Sequence, residues 1–250
     1  MTTFKITLEY DGTGYHGWQA QKNVTTVLGE LREAVEKVFH ENVEIQGAGR
    51  TDAGVHALAQ VAHIKLDGSV RLPLDALRRQ VNYLLPASIA VLEIERAPNT
   101  FHARHSARSR AYRYQITTRK QAFKKKYVWW IKEPLDIAAM NRAAALLIGR
   151  HDFVCFRAED PSRFDDSTIV VVQSAAIEVT DDLILFRIEA SHFIWRMVRR
   201  IVGVLVKIGK GELSDADMLQ LLDGRCDGRK FDVAAWTAPA SGLFLDYVRY

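Results

Sequence analysis

Cysteine is scarce in this chain of 250 residues, since Cys155 and Cys226 are the only two and no metal-ligand spacing joins them. We therefore expect neither a disulfide framework nor a zinc site, and we expect both thiols to be reduced. The sequence also lacks any stretch close to the roughly 20 apolar residues that span a membrane. Its first ten residues alternate like a strand, unlike the apolar core of a signal peptide. These absences predict a cytoplasmic protein with no membrane partner.

Acidic residues are missing from two long tracts. Residues 96–132 contain no Asp or Glu against eleven Lys or Arg, and residues 190–211 contain none against five. These tracts hold sixteen of the 34 basic residues, so the rest of the chain is acidic although the net charge is +4. Two basic surfaces on an acidic body predict a polyanionic partner. The alternative is a solvated basic face.

Apolar periodicity predicts a mixture of helices and strands. Helices are expected over residues 26–39, 74–85, 136–148 and 192–208, and Ser214 with Asp217 resembles the capping box of one more short helix. Strands are expected over residues 1–10, 44–46, 60–66, 88–97, 110–117, 168–180, 183–190 and 243–250. This order predicts an α+β fold with an N-terminal half over residues 1–105 and a C-terminal half over residues 106–250.

The segment GAGRTDAGVHA (residues 47–57, the glycine loop) places Arg50, Thr51, Asp52 and His56 among three glycines and three alanines. It lacks the third glycine of a dinucleotide loop and the Lys of a P-loop, so neither phosphate cradle fits. One reading is a tight turn in which Asp52 bonds its own backbone. The other is chemical: Arg50 neutralises a phosphate while the Asp52 carboxylate acts on the sugar or base beside it.

The glycine loop resembles the catalytic loop of the tRNA pseudouridine synthase A (TruA) family. Further blocks resemble the same family, in order, across almost the whole chain: EYDGTGYHGWQAQ (residues 9–21), FHARHSARSRAYRY (101–114), HDFVCF (151–156), FIWRMVRRIVG (193–203) and APASGLFLDYV (238–248). The resemblance implies two pseudo-symmetric, ferredoxin-like halves that form one continuous antiparallel sheet with flanking helices and a central cleft. It also implies conversion of uridine to pseudouridine in the anticodon stem-loop of tRNA, at positions thirty-eight to forty. A homodimer that uses no cofactor or metal is implied as well.

The same resemblance assigns catalytic roles to three residues. Asp52 matches the essential aspartate, which either adds covalently to the base or ribose or removes a sugar proton to give a glycal. Arg199 matches the active-site arginine that pairs with the carboxylate. Tyr112 matches the active-site tyrosine that stacks on the uracil. Asp52, Tyr112 and Arg199 together argue against a non-catalytic RNA-binding module, which would not need them.

Further residues are expected to bind the substrate. Arg50 resembles the arginine that replaces the flipped nucleotide in the RNA helix, and Leu243 resembles the apolar wall of the pocket. Phosphate contacts are expected from a basic set: His56, His102, Arg104, Arg108, Arg110, Arg196 and Arg200. The lysines at 124–126 beside Tyr127, Trp129 and Trp130 either extend this surface or lie on an exposed loop. Residues 159–167 are expected to form a polar loop.

Overall fold

The predicted elements are present in a computed structural model of the chain, which describes residues 2–68, 72–158 and 167–250. All of the predicted polar loop except Ser167 lies outside the described residues. Within the described ranges the order is β1 (Thr2–Tyr10), α1 (Val27–Phe39), β2 (Glu44–Gly47), β3 (His56–Leu66), α2 (Leu74–Leu84), β4 (Ile89–Ala97), β5 (Ser109–Thr117), β6 (Trp129–Trp130), α3 (Ile137–Ala145), β7 (Gly149–Asp152), β8 (Ile169–Thr180), β9 (Leu183–Ala190), α4 (Met197–Gly209), α5 (Asp215–Leu222) and β10 (Leu243–Arg249).

The predicted helices are confirmed, with one notable difference in length. The helix expected from residue 192 begins only at Met197, because Arg196 caps it with φ 58°, in the left-handed region. Helical periodicity does not reveal this cap, because residues 192–196 continue the apolar and basic pattern of the helix. The strands β6 and β7 are too short for their alternation to be recognised in the sequence.

The described chain divides into two compact units. Unit 1 contains residues Met1–Arg108 and Phe244–Tyr250, and unit 2 contains Ser109–Leu243. The sequence placed the division after residue 105 and assigned everything beyond it to the C-terminal half. The structure differs for the last seven residues, because β10 pairs in parallel with the start of β3, Phe244 opposite His56 and Leu245 opposite Ala57.

Unit 1 follows the β-α-β-β-α-β order of a ferredoxin-like half. Its strands lie in the order β4-β1-β3-β10, and β2 pairs with the far end of β3. Helix α1 begins at Thr26, whose side chain accepts a hydrogen bond from the Gly29 N–H at 3.2 Å. The buried face of α1 follows the predicted apolar stripe: Val27, Leu28, Leu31, Ala34 and Val35.

Unit 2 repeats the first part of this topology with β5, α3, β8, β9 and α4. Its strands lie in the order β5-β9-β8-β7, and β6 pairs in parallel with β5. Helix α4 is the most deeply buried helix of this unit, with ten of its residues buried. The capping box is confirmed: the Ser214 hydroxyl accepts from the Asp217 N–H, and the Asp217 carboxylate accepts from the Ser214 N–H. The fold is therefore α+β, with mostly antiparallel strands flanked by helices. The continuous sheet and its central cleft remain predictions.

The expectation of reduced thiols is wrong for this structure. Cys155 and Cys226 form a disulfide bond within unit 2, with Cα atoms 5.4 Å apart and a sequence separation of 71 residues. Cys155 lies in a short 3-10 helix, Val154–Phe156, and Cys226 follows α5. The sequence carried no signal of this pairing, because only the folding of the chain between them brings the two positions together.

Candidate active site

The glycine loop leaves β2 and returns to the sheet at β3, and buried contacts fix both of its ends. At the start, the Ala48 N–H donates to the Val61 carbonyl at 2.7 Å, and the Gln60 side-chain amide donates to the Gly49 carbonyl at 3.0 Å. At the end, the Val55 N–H donates to the Asp52 carbonyl at 3.1 Å and closes a tight turn. Asp52 therefore begins a tight turn through its backbone carbonyl, on a loop whose two ends are held by buried contacts. The bond from its side chain to its own backbone stays a prediction.

The segment of residues 9–21 braces this loop from one side. The Trp18 N–H donates to the Thr51 carbonyl at 3.1 Å, and the Gly54 N–H donates to the Tyr15 carbonyl at 3.3 Å. Gly17 has φ +89°, and a Cβ on it would lie 2.6 Å from the Thr51 carbonyl oxygen. Only glycine tolerates both this backbone conformation and this approach. Gly12 is equally restricted, because its Cβ would overlap the Val55 carbonyl.

A buried hydroxyl pair joins the two segments. The Tyr10 hydroxyl lies 2.8 Å from the Thr51 hydroxyl, and both residues are buried. Burial raises the pKa of Tyr10 to about 12, while hydrogen bonds from Thr51 and Gln60 act in the opposite direction. Tyr10 therefore stays neutral at any working pH, and its hydroxyl group holds the side chain of Thr51, the neighbour of Asp52.

The side chains of Arg50 and Asp52, which are predicted to be functional, lie between these fixed contacts of the glycine loop. Thr51 and Val55 are buried, Asp52 is half-buried, and Arg50 is exposed. A half-buried carboxylate on an immobilised turn keeps its geometry while it remains accessible to a substrate. An exposed guanidinium two residues earlier suits contact with a polyanion. The chemical reading of the glycine loop is therefore compatible with its geometry.

His56 requires a correction, because the structure does not present it to a phosphate. Its ring is buried and stacks on Phe244, with centroids 4.6 Å apart. Its Nδ1 atom lies 3.0 Å from the Gly12 nitrogen and 3.1 Å from an Asp11 carboxylate oxygen. The neutral ring accepts from Gly12, and the protonated ring pairs with Asp11. In either state His56 holds the glycine loop to residues 9–21 and to β10.

The predicted RNA contacts at residues 102–108 divide into exposed and enclosed groups. Arg104 and Arg108 are exposed, as phosphate contacts must be. His102 is half-buried, and its Nδ1 accepts from the Arg104 and His105 N–H groups at 3.2 and 3.3 Å. Burial first, and the neighbouring His105 next, lower the pKa of His102. A neutral imidazole is a weak partner for phosphate, so Arg104 and Arg108 are the stronger candidates.

Unit 2 carries the predicted tyrosine and arginine. Tyr112 lies on β5, and its ring meets the Phe193 ring edge-on with centroids 4.9 Å apart. Arg199 lies on α4, where its Nε donates to the Ala238 carbonyl at 2.8 Å. The Ala238 N–H returns a bond to the Arg199 carbonyl at 3.1 Å. Arg199 is therefore held at both its backbone and its side chain.

Both tyrosines on this face of β5 are buried, Tyr112 with 8% of its surface exposed and Tyr114 with none. Tyr114 is fully enclosed, and its hydroxyl donates to the Pro239 carbonyl at 2.8 Å. Burial raises the pKa of Tyr114 well above its ordinary value, and the positive charge of Arg199 opposes this. Tyr114 thus belongs to the core. Leu243, the predicted pocket wall, is buried at the start of β10.

The remaining basic residues of unit 2 have different surroundings. Arg110 requires a correction, because it is buried and its guanidinium donates to the Ser191 carbonyl at 2.9 Å. Arg200 is half-buried and donates to the Arg157 carbonyl. Arg196 is exposed, with its guanidinium 4.9 Å from the centroid of the Trp195 ring. Arg196 is therefore the most accessible of these three predicted phosphate contacts.

Among the residues that the structure describes, no group of three or more His, Cys, Asp and Glu side chains could hold a metal ion. None of the helices in the same ranges is both long and apolar enough to cross a membrane.

The main contacts that sequence reasoning missed are the supports of the glycine loop. Tyr10, Thr51 and Gln60 form one buried polar group, and Gly12 and Gly17 permit its close packing. In the sequence, Tyr10 looks like an ordinary apolar residue at the end of one strand. Gln60 looks like an ordinary polar residue of another strand. Their adjacency on β1 and β3 is set by strand register, with Tyr10 opposite Ala57 and Leu8 opposite Gln60.

Comparison with known proteins assigns the chain to a family. A family model described as tRNA pseudouridine synthase matches residues 6–106 and 143–250. Proteins named tRNA pseudouridine synthase A are similar along the full length. The Thermoanaerobacter sp. (strain X514) protein is 42% identical over 252 residues, covering 100% of both chains. The Chlorobaculum tepidum protein is 40% identical, covering 99% of this chain and 98% of its own.

A solved structure of a Cbf5-Nop10-Gar1 complex is a more distant match. It shares 10% sequence identity and a TM-score of 0.32 over 81% of this chain and 54% of that chain, and so carries no argument. The full-length similarity and the family match are decisive without it. The chain belongs to the tRNA pseudouridine synthase family.

Proposed function

We propose that this chain converts uridine to pseudouridine in the anticodon stem-loop of tRNA, at positions thirty-eight to forty. Family membership makes it an isomerase that acts on uridine in tRNA. One observation carries the proposal furthest. The glycine loop holds Asp52 half-buried on a turn that is braced by Trp18, Tyr15 and Tyr10. Such immobilisation is what a reacting carboxylate requires.

The reaction breaks the bond between N1 of uracil and C1′ of the ribose, turns the base, and forms a bond from C5 to C1′. C5 then loses its proton to water and N1 takes up a proton, so the product is an isomer of uridine with every atom accounted for. The base must leave the RNA stack, because N1 and C5 must each reach the ribose carbon in turn. The reaction consumes no energy source or cofactor.

The roles proposed for the catalytic residues follow the resemblance. Asp52 acts as an ionised carboxylate, either by covalent addition or by removing a sugar proton. Tyr112 stacks on the uracil, and Arg199 supplies the active-site guanidinium. Arg50 takes the place of the extruded nucleotide in the RNA helix, where a planar cation recovers part of the lost stacking. Leu243 forms an apolar wall against the base.

The wider context is also part of the proposal. The partner is tRNA, the protein acts as a homodimer, and it works in the cytoplasm without a membrane partner. Exposed Arg104, Arg108 and Arg196 contact phosphates of the RNA, a role that their exposure supports.

The test is the release of tritium from tRNA labelled at C5 of uridine, because the reaction exchanges this position with water. We expect wild-type protein to release tritium and Asp52→Ala to release it roughly 10³-fold more slowly or worse, as loss of the reacting group predicts. The affinity of the variant for tRNA should stay within about threefold of wild type, since a half-buried carboxylate makes little contact with phosphates.

Asp67→Ala is the matched control. It removes an exposed carboxylate from the same unit, just after β3. Circular dichroism and thermal unfolding establish that each variant folds. A folded Asp52→Ala protein with substantial tritium release would show that Asp52 is not the reacting carboxylate. Wild-type protein that binds tRNA but releases no tritium would instead identify a non-catalytic RNA-binding module.

A further inference from the structure

Residues 118–132, TRKQAFKKKYVWWIK, form an exposed loop rich in lysine and aromatic residues, here called the basic–aromatic loop. We propose that this loop is a second RNA-binding surface, which contacts phosphates and an unstacked base of the substrate away from the reacting uridine. The proposal rests on the proposed function for the identity of the RNA. It assigns a partner to a surface outside both segments that the family model matches, because the loop falls between residues 106 and 143.

The base of the loop is firmly held, so the loop has a defined shape. Strand β6 pairs in parallel with β5, Ile116 opposite Trp129 and Thr117 opposite Trp130. The Ile131 N–H donates to the Thr117 carbonyl at 2.9 Å, and both Val128 and Ile131 are buried. The Thr117 hydroxyl bonds the backbone of Arg119 at 3.0 and 3.2 Å. These contacts hold the base of the loop and leave residues 122–126 exposed to solvent.

The tip of the loop exposes an aromatic ring among ammonium groups. Phe123 is 98% exposed, and Lys124, Lys125 and Lys126 beside it are exposed as well. The Tyr127 N–H donates to the Lys124 carbonyl at 2.8 Å, which folds the three lysines into one turn. A fully exposed phenylalanine gains none of the stabilisation of burial. Its position among lysines suits a ligand with both anionic groups and a flat apolar face.

A second aromatic ring lies near the base of the same loop. Trp130 is 38% exposed, and the Lys120 and Lys132 ammonium groups each lie 5.5 Å from its ring centroid. This arrangement holds two cations beside a tryptophan face. Aromatic rings interleaved with basic side chains are the combination that binds single-stranded nucleic acid through stacking and phosphate contact.

The charge of the loop favours a polyanion. Six basic residues lie on it: Arg119, Lys120, Lys124, Lys125, Lys126 and Lys132. Nearby carboxylates are few. Arg119 pairs with Asp182, and Glu133 pairs with Lys210 at 3.1 Å. Asp182 also interacts electrostatically with Lys124, since Arg119 first and Lys124 after it lower the pKa of this carboxyl group. The six basic residues outnumber these two carboxylates. Positive charge therefore dominates the surface.

The position of the loop separates it from the reaction chemistry. It follows the C-terminal end of β5, and Tyr112 lies five residues before that end. At about 3.3 Å per residue the nearest part of the loop lies roughly 17 Å from Tyr112 along the strand. A ligand at Phe123 is therefore not the reacting uridine. The loop should influence RNA affinity and leave the rate of the bound complex unchanged.

The experiment uses full-length protein and measures tRNA affinity at several salt concentrations, together with steady-state tritium release. The variant K124A/K125A/K126A is expected to raise the Kd and the KM about 10-fold at 0.1 M salt, with kcat within twofold. The slope of log Kd against log salt should fall by about 2–3, since each neutralised phosphate contributes about 0.9. Phe123→Ala is expected to raise the Kd about fivefold through loss of base stacking, and Phe123→Tyr to restore it.

The matched control is R142A/R225A/R229A. It removes the same three charges from exposed positions of unit 2, so it reports any general effect of net charge. A lysine variant whose Kd and salt slope equal those of this control would overturn the proposal. Sedimentation with vesicles containing phosphatidylserine tests the rival partner. Vesicle binding that depends on Lys124–126, with unchanged tRNA binding, would identify a lipid surface instead.

Failure of the proposed function gives a different result. In that case wild-type protein releases no tritium, yet the binding measurement still reports whether the basic–aromatic loop contacts RNA. Loss of RNA affinity in the lysine variant would then support the surface without the reaction. Normal tritium release with unchanged affinity in the variant would reject the surface while keeping the enzyme.

Discussion

The glycine loop and the basic–aromatic loop show two ways of exposing functional side chains. The glycine loop is braced along its whole length: residues 9–21, Gln60 and β10 all contact it. The basic–aromatic loop is held only at its base, and its tip is open. Chemistry on one carboxylate needs a fixed position, whereas binding a flexible polyanion needs charge and reach. The difference in packing therefore matches the difference in the roles proposed for them.

The largest effect is expected when the contacts between residues 9–21 and the glycine loop are disturbed. Gly17→Ala should lower kcat about 100-fold, because its Cβ would push the Thr51 carbonyl and displace Asp52, and misplacement by about 1 Å costs that much. Gly14→Ala is the matched control. Gly14 has φ +87°, but nothing lies within 4 Å of its Cβ position. Tritium release at saturating tRNA measures both variants.

Equal losses of kcat in the two glycine variants would show that backbone strain alone is responsible. The brace would then have no special part in positioning Asp52. Retained kcat in a folded Gly17→Ala protein would show that the loop tolerates movement. In that case the contrast between a fixed and an open loop would fail.

The second prediction concerns His63, which supports the buried side of the glycine loop. Its ring is fully buried, and its Nδ1 accepts from the Ala103 N–H at 3.0 Å. Ala103 packs in turn on Ala48, the second residue of the glycine loop. Burial, then the neighbouring His102 and Lys65, lower the pKa of His63 to about 4, while Glu44 raises it. The folded protein therefore favours the neutral ring.

The sign of the effect follows from the lowered pKa. The unfolded chain, with a histidine pKa near 6.5, binds a proton first as the pH falls. The stabilisation is complete above pH 6.5 and is lost between about 6.5 and 4, by roughly 3 kcal/mol at most. His63→Asn keeps an acceptor near Nδ1 and should flatten this part of the unfolding profile. Urea unfolding between pH 4.5 and 7 measures it.

The control for His63→Asn is His16→Asn, because His16 is exposed. The dependence of its unfolding free energy on pH should equal that of the wild-type protein. A His63→Asn profile as steep as the wild-type one would assign the acid sensitivity to other groups. His102, whose pKa is also lowered, would then be the next residue to test.

The third prediction tests the hydroxyl pair at Thr51. Tyr10→Phe should lower the free energy of unfolding by about 1 kcal/mol, because it leaves the buried Thr51 hydroxyl without this partner. Thr51→Val should cost a similar amount. The double variant should cost less than the sum of the two, since both changes remove one interaction. Urea unfolding of the four proteins gives the coupling, and additive losses would show that the pair contributes nothing of its own.

The smallest expected effect is at the open loop. Phe123→Ser should change the free energy of unfolding by no more than about 0.5 kcal/mol, because the ring is almost wholly exposed. Thermal unfolding measures this change beside that of Tyr10→Phe. A loss above 1 kcal/mol would mean that Phe123 packs in solution. The tip of the basic–aromatic loop would then be part of the folded core and would not be open to RNA.

Sequence alone could predict most of the elements and the glycine loop, because both leave local signals, whereas the roles of the reacting residues stay predictions from the family resemblance. Apolar spacing marks α1, and small residues around Asp52 mark a loop made for close approach. Burial of polar residues leaves no such signal. His56 and Arg110 were both predicted to contact phosphates. In the structure His56 is buried against the Phe244 ring, and Arg110 is buried with its guanidinium bonded to the Ser191 carbonyl.

Contacts between residues that are far apart in the chain also could not be predicted from the sequence. The Cys155–Cys226 disulfide and the Tyr10–Thr51 bond depend on register and on chain crossings, which no local pattern encodes. The left-handed cap at Arg196 is local, but arginine rarely adopts this conformation, so the composition of the segment pointed to helix instead. The resemblance to a family supplied roles for residues and left their supports unidentified.

The position of β10 has a consequence for how the protein is made. Phe244 stacks on His56 at the end of the glycine loop, and the Tyr250 hydroxyl donates to the Ala103 carbonyl at 2.8 Å. Unit 1 thus takes one strand from residues that are synthesised after all of unit 2. During translation the N-terminal half therefore lacks β10 until the ribosome has made unit 2, and only then does the glycine loop gain its contact with Phe244.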